Sequence, residues 1–449
     1  MSLPALADSE GDPLVTLRAG NAHAQLLPEH FLKTPVWAYN ESIPGTVLRT
    51  RQGDGMSLRF ENGLAEPSSV HWHGIRLENA MDGVSGLTQD AVEPGGHFDY
   101  RFSTPDAGTY WYHSHHRSWE QMARGLYGAL IVEEREPPEV DVDQVLLIDD
   151  WRLQANGEIS NDFDRMMDRS HGGRMGNWLT VNGTGIDRAI HPVKRNQRLR
   201  LRLVNPANAS ILSLVTEGIQ GWVIAMDGQP LEKPEELGEL IIAPGQRVDL
   251  LADIVNESEA RLLLVTREGF APLMRFPVEG IQREAVLDPP QPLTSNPLVP
   301  IGSLQNVDIT ELNMQGGAMG GMQKAIYQGR ELGIRELMSE GMVWAFNGVA
   351  GMTEIPLLTA KQNATVRIRM KNDTSFPHGM HLHGHHFRQV LDPNEKTPSE
   401  LGPWRDTILL GRGDVVDIAF VADNPGKWLL HCHMLGHQAA GMKTWIQVA

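Results

Sequence analysis

Hydrophobic and polar residues alternate along three short segments of the chain, and each segment ends in asparagine. The segments are 56–62 (MSLRFEN), 199–205 (LRLRLVN) and 365–372 (TVRIRMKN). Because successive side chains of a strand point to opposite faces, this period of two predicts β-strands. The terminal asparagines at 62, 205 and 372 are 143 and 167 residues apart, which is about one domain length.

Two further elements recur with these strands. A glycine turn followed by a strand occupies 94–100, 244–250 and 411–417. A strand that begins with glycine at 108–113 has a counterpart at 426–431. Self-similarity at a fixed spacing is typical of repeated structural units. The chain is therefore predicted to be all-β and to contain three related β-sandwiches.

The boundaries between the three units are marked by composition. A charged, proline-containing stretch covers 133–138, and a proline-rich stretch covers 289–300. Helical periodicity is scarce, and the best helical candidate is 323–342. We expect domains at 1–138, 139–295 and 296–449.

Composition excludes several functional classes. The 449 residues include 45 glycines and 28 prolines, which fits a fold rich in turns, and the 41% apolar content excludes a disordered chain. The net charge of −17 argues against a non-specific nucleic-acid binder, and no apolar run reaches the length of a membrane span. One cysteine, Cys432, excludes an internal disulfide and a four-thiolate zinc site.

The 18 histidines are unevenly distributed. Only His171 and His191 lie between the two boundaries, so the chemistry is expected in the outer repeats. Residues two apart on a strand share a face and lie about 6.5–7 Å apart along it, so both can serve one metal or neighbouring metals. Four His-x-His pairs have this spacing: His71/His73, His113/His115, His381/His383 and His431/His433.

The tripeptide 431–433 places Cys432 between two of these histidines. On an extended chain both imidazoles face one way and the thiolate faces the other, so the tripeptide would connect two sites. His437, Met442 and His378 lie at spacings that could complete a site around the thiolate. A thiolate, two imidazoles and a thioether favour copper over zinc or iron. The alternative is a buried, inert cysteine.

The chain resembles the three-domain multicopper oxidases, the laccase and cuprous oxidase group, along essentially its whole length. The motifs that carry the resemblance are 71–74 (HWHG), 111–115 (WYHSH), 378–385 (HGMHLHGH) and 431–442 (HCHMLGHQAAGM). The resemblance implies three cupredoxin-like Greek-key β-sandwich domains. The first would supply half of the ligands of a trinuclear copper site, the second no copper ligand, and the third the remaining ligands.

The resemblance also implies four copper ions and their ligands. The type 1 copper would be held by His378, Cys432, His437 and Met442. The type 2 copper would be held by His71 and His381. The two type 3 coppers would be held by His73, His113 and His433, and by His115, His383 and His431.

The activity implied by the resemblance is oxidation of a reducing substrate, one electron at a time, coupled to four-electron reduction of O2 to water. Electrons would pass through Cys432. Asp82 matches a position where relatives place a proton-relay acid, although an Asp-Gly pair also forms turns. Some bacterial relatives have glutamate where this chain has Gln438, so another acid would be needed there. Asp406 also lies in a recurrent family stretch.

The sequence specifies the electron donor less clearly than it specifies the copper ligands. Met314, Met319 and Met322 begin a methionine-rich segment, and thioethers bind Cu(I). A cuprous oxidase that uses 314–342 is therefore an alternative to a laccase-like oxidase of phenols or aromatic amines. The segment can equally be a glycine-rich loop followed by a helix whose methionines pack inward. Residues 373–377 lack the methionines expected of a dedicated Cu(I) site, which favours the laccase-like function. A copper-sequestering protein without turnover is a further alternative.

The first residues show neither the basic stretch nor the apolar stretch of a signal peptide. The family resemblance nevertheless implies a periplasmic or secreted protein. The sequence could begin with a native, cytosolic N-terminus, but from the family we expect that an export signal has been removed or replaced.

Overall fold

The computed structural model describes residues 15–391 and 400–449. Within it, the first pair of sheets lies in 15–133. A four-stranded sheet of order β2-β1-β4-β6 packs with a second of order β3-β8-β7-β5. A 3₁₀ turn at Asn79–Met81 and a short helix α1 at Ser118–Gln121 interrupt the strands. The strands are Val15–Ala24 (β1), Thr34–Tyr39 (β2), Gly45–Arg51 (β3), Gly55–Asn62 (β4), Val70–His73 (β5), His97–Ser103 (β6), Gly108–Ser114 (β7) and Tyr127–Glu133 (β8).

The second pair of sheets lies within 142–281 and has seven and five strands. Their orders are β11-β10-β9-β13-β18-β15-β16 and β12-β20-β19-β14-β17, and helix α2 covers Met166–Ser170. The strands are Val142–Trp151 (β9), Trp178–Val181 (β10), Thr184–Gly185 (β11), Val193–Arg195 (β12), Arg198–Val204 (β13), Leu212–Glu217 (β14), Ile219–Met226 (β15), Gln229–Glu236 (β16), Leu240–Ile242 (β17), Arg247–Ile254 (β18), Glu259–Thr266 (β19) and Gly269–Ile281 (β20).

The third group of sheets lies within 309–448. It comprises sheets of order β24-β21-β26-β31-β28-β29 and β25-β33-β32-β27-β30 with a hairpin β22-β23, and helices α3 (Ile334–Ser339) and α4 (Leu435–Ala439). The strands are Ile309–Gly316 (β21), Lys324–Tyr327 (β22), Arg330–Gly333 (β23), Trp344–Phe346 (β24), Leu358–Ala360 (β25), Thr365–Asn372 (β26), His378–Leu382 (β27), Phe387–Val390 (β28), Leu401–Arg405 (β29), Thr407–Leu410 (β30), Val415–Val421 (β31), Gly426–Cys432 (β32) and Lys443–Val448 (β33).

The repeated strands occupy equivalent places in the three groups. β4, β13 and β26 each pair in parallel with the first strand of their group (β1, β9 and β21). Each also pairs antiparallel with the strand after the repeated glycine turn (β6, β18 and β31). The all-β prediction is confirmed, while the domain boundaries stay a prediction.

The asparagine that ends each repeated strand makes the same turn in all three groups. The Oδ1 atoms of Asn62, Asn205 and Asn372 accept the backbone N–H two residues later at 3.0, 3.1 and 3.0 Å. Their Nδ2 atoms donate to carbonyls four or five residues later at 2.8–2.9 Å. A short amide side chain that bonds nearby backbone in this way fixes the exit of the strand.

The predicted helix at 323–342 is wrong for most of its length. The segment forms the hairpin β22-β23, and only the six residues of α3 are helical. Gln328 and Gly329 both have positive φ values, 49° and 74°, which is the conformation of a two-residue hairpin turn. The turn residues therefore overrode the helical spacing of the apolar positions.

The outer two groups share a hydrophobic core. One continuous cluster of buried side chains contains Trp72 and Tyr112 from the first group and Leu382, Trp428 and Cys432 from the third. Burial of apolar surface across this boundary stabilises one relative arrangement of the two groups. The histidine pairs of the sequence lie at the same boundary.

Candidate metal centre

Each outer group carries four of the eight histidines on two neighbouring strands or directly after them, since His115, His383 and His433 follow the ends of β7, β27 and β32. His71 on β5 lies directly opposite His113 on β7, and His381 on β27 lies directly opposite His431 on β32. Because alternate residues of a strand share a face, the second member of each pair follows on the same side. Antiparallel pairing thus turns four sequence pairs into two patches of four imidazoles.

The two patches meet face to face. The rings of His71 and His383 stack with centroids 3.9 Å apart, and those of His73 and His381 stack at 3.7 Å. All eight side chains are buried. We call these residues the eight-histidine cluster. Ligand atoms within 4.8 Å of one another form three trios: His71, His73 and His381; His73, His113 and His433; and His115, His383 and His431.

Backbone carbonyls fix the tautomers of four of these histidines. A carbonyl oxygen only accepts, so the ring nitrogen that it contacts carries the proton and the other nitrogen has a free lone pair. The Nδ1 atoms donate to carbonyls at 2.8–3.0 Å, which leaves each Nε2 free. The pairs are His71 with Asp82, His113 with Ser114, His381 with Asp406, and His431 with Cys432.

The free nitrogens are what a metal needs. Ring nitrogens of His71, His73, His113, His115, His381 and His433 are buried without any hydrogen-bond partner. Burial lowers the pKa of most of these imidazoles below the ordinary histidine value, so they stay neutral. Buried polar atoms without partners are costly, and a bound cation would satisfy them. The cluster therefore fits a metal centre.

Two aspartates serve the cluster from opposite sides. Asp82 of the first group accepts from Nδ1 of His383 in the third, with 3.0 Å to Oδ2. Asp406 of the third group accepts from Nε2 of His73 in the first, with 3.2 Å to Oδ1. A carboxylate that holds the outer nitrogen of a ligand imidazole sets its orientation and tautomer. Each aspartate thus fixes a histidine of the other outer group.

A second site surrounds Cys432. Its Sγ atom lies 3.6 Å from Nδ1 of His378 and 3.7 Å from Nδ1 of His437. Nε2 of His437 donates to the carbonyl of His171 at 2.6 Å, so Nδ1 keeps its lone pair toward the sulfur. Met442 is buried in the same core as Cys432. We call His378, Cys432, His437 and Met442 the cysteine cluster.

The cysteine cluster also fits a soft metal. Burial raises the pKa of the Cys432 thiol to about 12, so a nearby cation is required to hold it as thiolate. Burial lowers the pKa of His437 to about 4, which keeps that ring neutral. One thiolate, two imidazoles and a thioether form the ligand set of blue copper sites. The backbone of 431–433 connects the two clusters directly.

Known proteins match the chain over most of its length. Family models described as multicopper oxidase match 21–137, 143–269 and 329–449. The multicopper oxidase MmcO of Mycobacterium tuberculosis is 31% identical over 90% of this chain and 82% of its own length. The chain belongs to the multicopper oxidase family. It is accordingly a copper-dependent oxidoreductase that uses O2.

Two further comparisons place it within this family. Laccase-2 of Cryptococcus neoformans var. grubii is 27% identical over 92% of this chain and 81% of its own length. The crystal structure of Lac15 from a marine microbial metagenome is 42% identical, covers 97% of this chain and 100% of its own, and superposes with a TM-score of 0.78.

The three methionines suggested as Cu(I) ligands differ in burial and in the core against which they pack. Met314 lies on β21 and is fully buried in the core of the third group. Met322 packs against a different, smaller core beside the hairpin, whereas Met319 is 82% exposed on a turn. A Cu(I) site at these three methionines stays a prediction. The alternation of β21 would have placed Met314 in the core, but the glycine-rich residues that follow obscured this pattern.

Gln438 lies on α4, directly after His437 of the cysteine cluster. It is buried and lines a cavity of about 600 Å³ between the outer groups. His115 of the eight-histidine cluster lines the same cavity, as does Glu354. The cavity thus reaches a histidine of the eight-histidine cluster, although Gln438 itself carries no ionisable proton.

Sequence reasoning missed the part that the middle group plays. Arg247, Gly245 and Asp227 of this group contact residues of the eight-histidine cluster or its aspartate. Gly245 has φ +90°, and a Cβ there would lie 2.9 Å from Cγ of His433 and 3.1 Å from Cε1 of His73. The glycine turn 244–247 was recognised only as a repeat, because it contains no metal-binding residue type.

Proposed function

We propose that the protein is a laccase-like oxidase with four copper ions. The cysteine cluster would hold one copper. His71 and His381 would hold the second. The trios His73, His113, His433 and His115, His383, His431 would hold the third and fourth. Copper bound in this way would supply the one-electron chemistry that couples oxidation of the donor to reduction of O2 to water.

The observation that supports this proposal most is the orientation of the ligand atoms. The tautomers of His71, His113, His381 and His431 leave each Nε2 lone pair free, and those of His71, His113 and His381 have no protein partner. Neutral imidazole with its outer nitrogen hydrogen-bonded is the form that binds metal. A protein without resident metal would leave these buried atoms unsatisfied.

Two parts of the chain would handle electrons and protons. Cys432 connects the clusters through its neighbours His431 and His433, so it provides the short covalent route that electron transfer requires. Asp82 lies in hydrogen-bond contact with the His383 ring and is positioned to hold a proton beside the cluster. Because Gln438 cannot exchange a proton, Asp82 is the better candidate for the relay.

Phenols or aromatic amines are the proposed donors. A second candidate, Cu(I), is supported by exposed methionines near His437. The carbonyl that His437 contacts belongs to His171, next to α2, and Ala318 donates to Ser170 at 2.7 Å, which brings the turn of Met319 to α2. Met167, Met175 and Met319 are 52%, 50% and 82% exposed. Exposed thioethers favour Cu(I).

The decisive experiment measures electrons per O2 in the copper-loaded protein. We expect four equivalents of a one-electron phenol donor to be oxidised for each O2 consumed, without peroxide release. Copper bound without O2 uptake, with any phenol or with Cu(I), would instead support copper sequestration. Production of peroxide at two electrons per O2 would contradict the proposal.

The donor is tested with methionine variants. We expect Met319→Ala combined with Met175→Ala to leave phenol oxidation unchanged. A selective loss of Cu(I) oxidation would identify the cuprous oxidase function. Met338→Ala is the matched control, because Met338 is 44% exposed and lies on α3. If no variant changes the rate with either donor relative to the wild type, phenols stay the supported substrate.

A periplasmic or secreted location is also proposed, on the basis of the family. Within 15–391 and 400–449, the structure contains no helix that is long and apolar enough to cross a bilayer. The N-terminal residues on which the expectation of a removed export signal depends lie outside the described part of the chain.

A further inference from the structure

The buried carboxylate of Asp406 lies between the eight-histidine cluster and the middle group. Its Oδ1 accepts from Nε2 of His73, and its backbone carbonyl accepts from Nδ1 of His381. On the opposite side, Nη1 and Nη2 of Arg247 donate to the two carboxylate oxygens at 2.8 and 2.6 Å. Both side chains have zero solvent exposure. A bidentate, charge-assisted pair of this kind fixes the plane and the position of the carboxylate.

A second residue of the middle group holds the backbone next to Asp406. Oδ2 of Asp227 accepts the N–H groups of Asp406 and Thr407 at 3.3 and 3.2 Å. Oδ1 of Asp227 accepts the backbone N–H of Arg247 at 3.0 Å. Nε2 of Gln246 donates to the carbonyl of Thr407 at 2.9 Å. The turn at the start of β18 therefore holds both the side chain and the main chain at 406–407.

Arg247 also contacts the first group. Its Nε donates to the carbonyl of Thr109 at 3.2 Å. Gly74, which follows His73 directly, has φ +88°, and any Cβ there would overlap with the Arg247 guanidinium. The guanidinium thus lies where all three groups meet. It bonds Asp406, which in turn bonds His73 and His381 of the cluster.

We propose that Arg247 and Asp227 are positioning residues of the eight-histidine cluster, through which the middle domain sets the orientation of His73 and His381. The inference rests on the proposed copper-binding function of the cluster. The Asp406 carboxylate accepts a hydrogen bond from Nε2–H of His73, which leaves the Nδ1 lone pair for a metal. Arg247 provides the charge and the two-pronged geometry that keep this carboxylate in place. Lysine would provide the charge but not the two parallel N–H donors that bond both carboxylate oxygens.

The test compares Arg247→Lys and Asp227→Asn with Arg200→Lys in the copper-loaded protein. Arg200 is a matched control, because it is equally buried in the same domain and pairs with Asp249 and Glu134 at 2.7 and 2.6 Å. Two signals are measured while copper is withdrawn by a chelator. One is the blue absorption of the cysteine cluster, and the other is the electron paramagnetic resonance spectrum of the non-blue copper.

We expect both test variants to keep the blue absorption, to lose the non-blue copper about 10- to 100-fold more readily, and to show altered hyperfine splitting. Arg200→Lys should lower the melting temperature without changing either signal. If Arg247→Lys does not fold, Asp227→Asn decides by the same readouts. Wild-type copper retention and spectra in the folded variants would overturn the inference alone. A wild type that binds no non-blue copper would overturn the proposed function and the inference together.

Discussion

The two clusters differ in how many parts of the chain build them. All four residues of the cysteine cluster come from the third group, and the His171 carbonyl of the middle group accepts a hydrogen bond from His437. The eight-histidine cluster takes four residues from each outer group. Arg247 of the middle group supports it by donating to Asp406. The geometry of the cysteine cluster, the local site, therefore depends mainly on the fold of one group. The geometry of the eight-histidine cluster, the shared site, depends on how three groups pack together.

The largest expected effect separates the clusters directly. Cys432→Ser removes the thiolate, so we expect the blue absorption to disappear and O2 consumption to fall to the background of copper-free protein. The non-blue copper should stay bound, because none of its ligands changes. Optical and paramagnetic resonance spectra with copper analysis check this. Loss of all copper from a folded variant would show that the two clusters do not load independently.

The two aspartates allow a finer comparison within the shared cluster. Asp406→Asn leaves the buried Arg247 without its bidentate partner, which should cost about 3–5 kcal/mol of unfolding free energy. Asp82→Asn keeps an acceptor for His383 but holds no ionisable proton, so turnover should fall about 100-fold with little change in stability. Denaturant unfolding and O2 uptake distinguish these results. Equal stability losses in both variants would contradict the division of roles.

Acid should affect the shared cluster more than the local one. Burial lowers the pKa of His73, His113, His115, His381, His383, His431 and His433, against two histidines in the cysteine cluster. A histidine with a lowered folded-state pKa binds fewer protons when folded than when unfolded. Its contribution is complete above the unfolded value of about 6.5 and is lost as the pH falls toward the folded value.

We therefore expect copper-free protein to lose stability steadily from about pH 6.5 to pH 4. Urea unfolding at a series of pH values measures the slope. Bound copper should flatten the profile until the imidazoles are protonated and the metal leaves. A copper-free profile that is constant over this range would contradict the assignment of neutral buried imidazoles.

The smallest expected effect concerns the cavity beside His115. Gln438→Glu introduces an ionisable group there, so reoxidation of the reduced enzyme by O2 should be faster by less than about tenfold. Stopped-flow reoxidation measures this, with Gln438→Ala as the control for the loss of the amide. A slower rate in the glutamate variant than in the alanine variant would indicate that proton supply does not limit this step.

Much of the fold could be predicted because its signals are local. Alternation identified β4, β13 and β26, and their shared pairing partners confirm the repeat. The segment 323–342 was misjudged because apolar spacing outweighed a Gln-Gly turn. The sequence left open whether the methionines of 314–342 bind Cu(I) or pack inward, and β21 places Met314 in the core.

The sequence by itself determined the types and spacing of the ligands, because the two-residue period of a strand fixes which side chains share a face. Only the tertiary structure decided which histidines stack between the first and third groups, and which carboxylate holds which ring. It also brought Arg247 to Asp406, 159 positions further along the chain. Such contacts depend on the packing of whole sheets, and nothing in the local sequence near either residue encodes them.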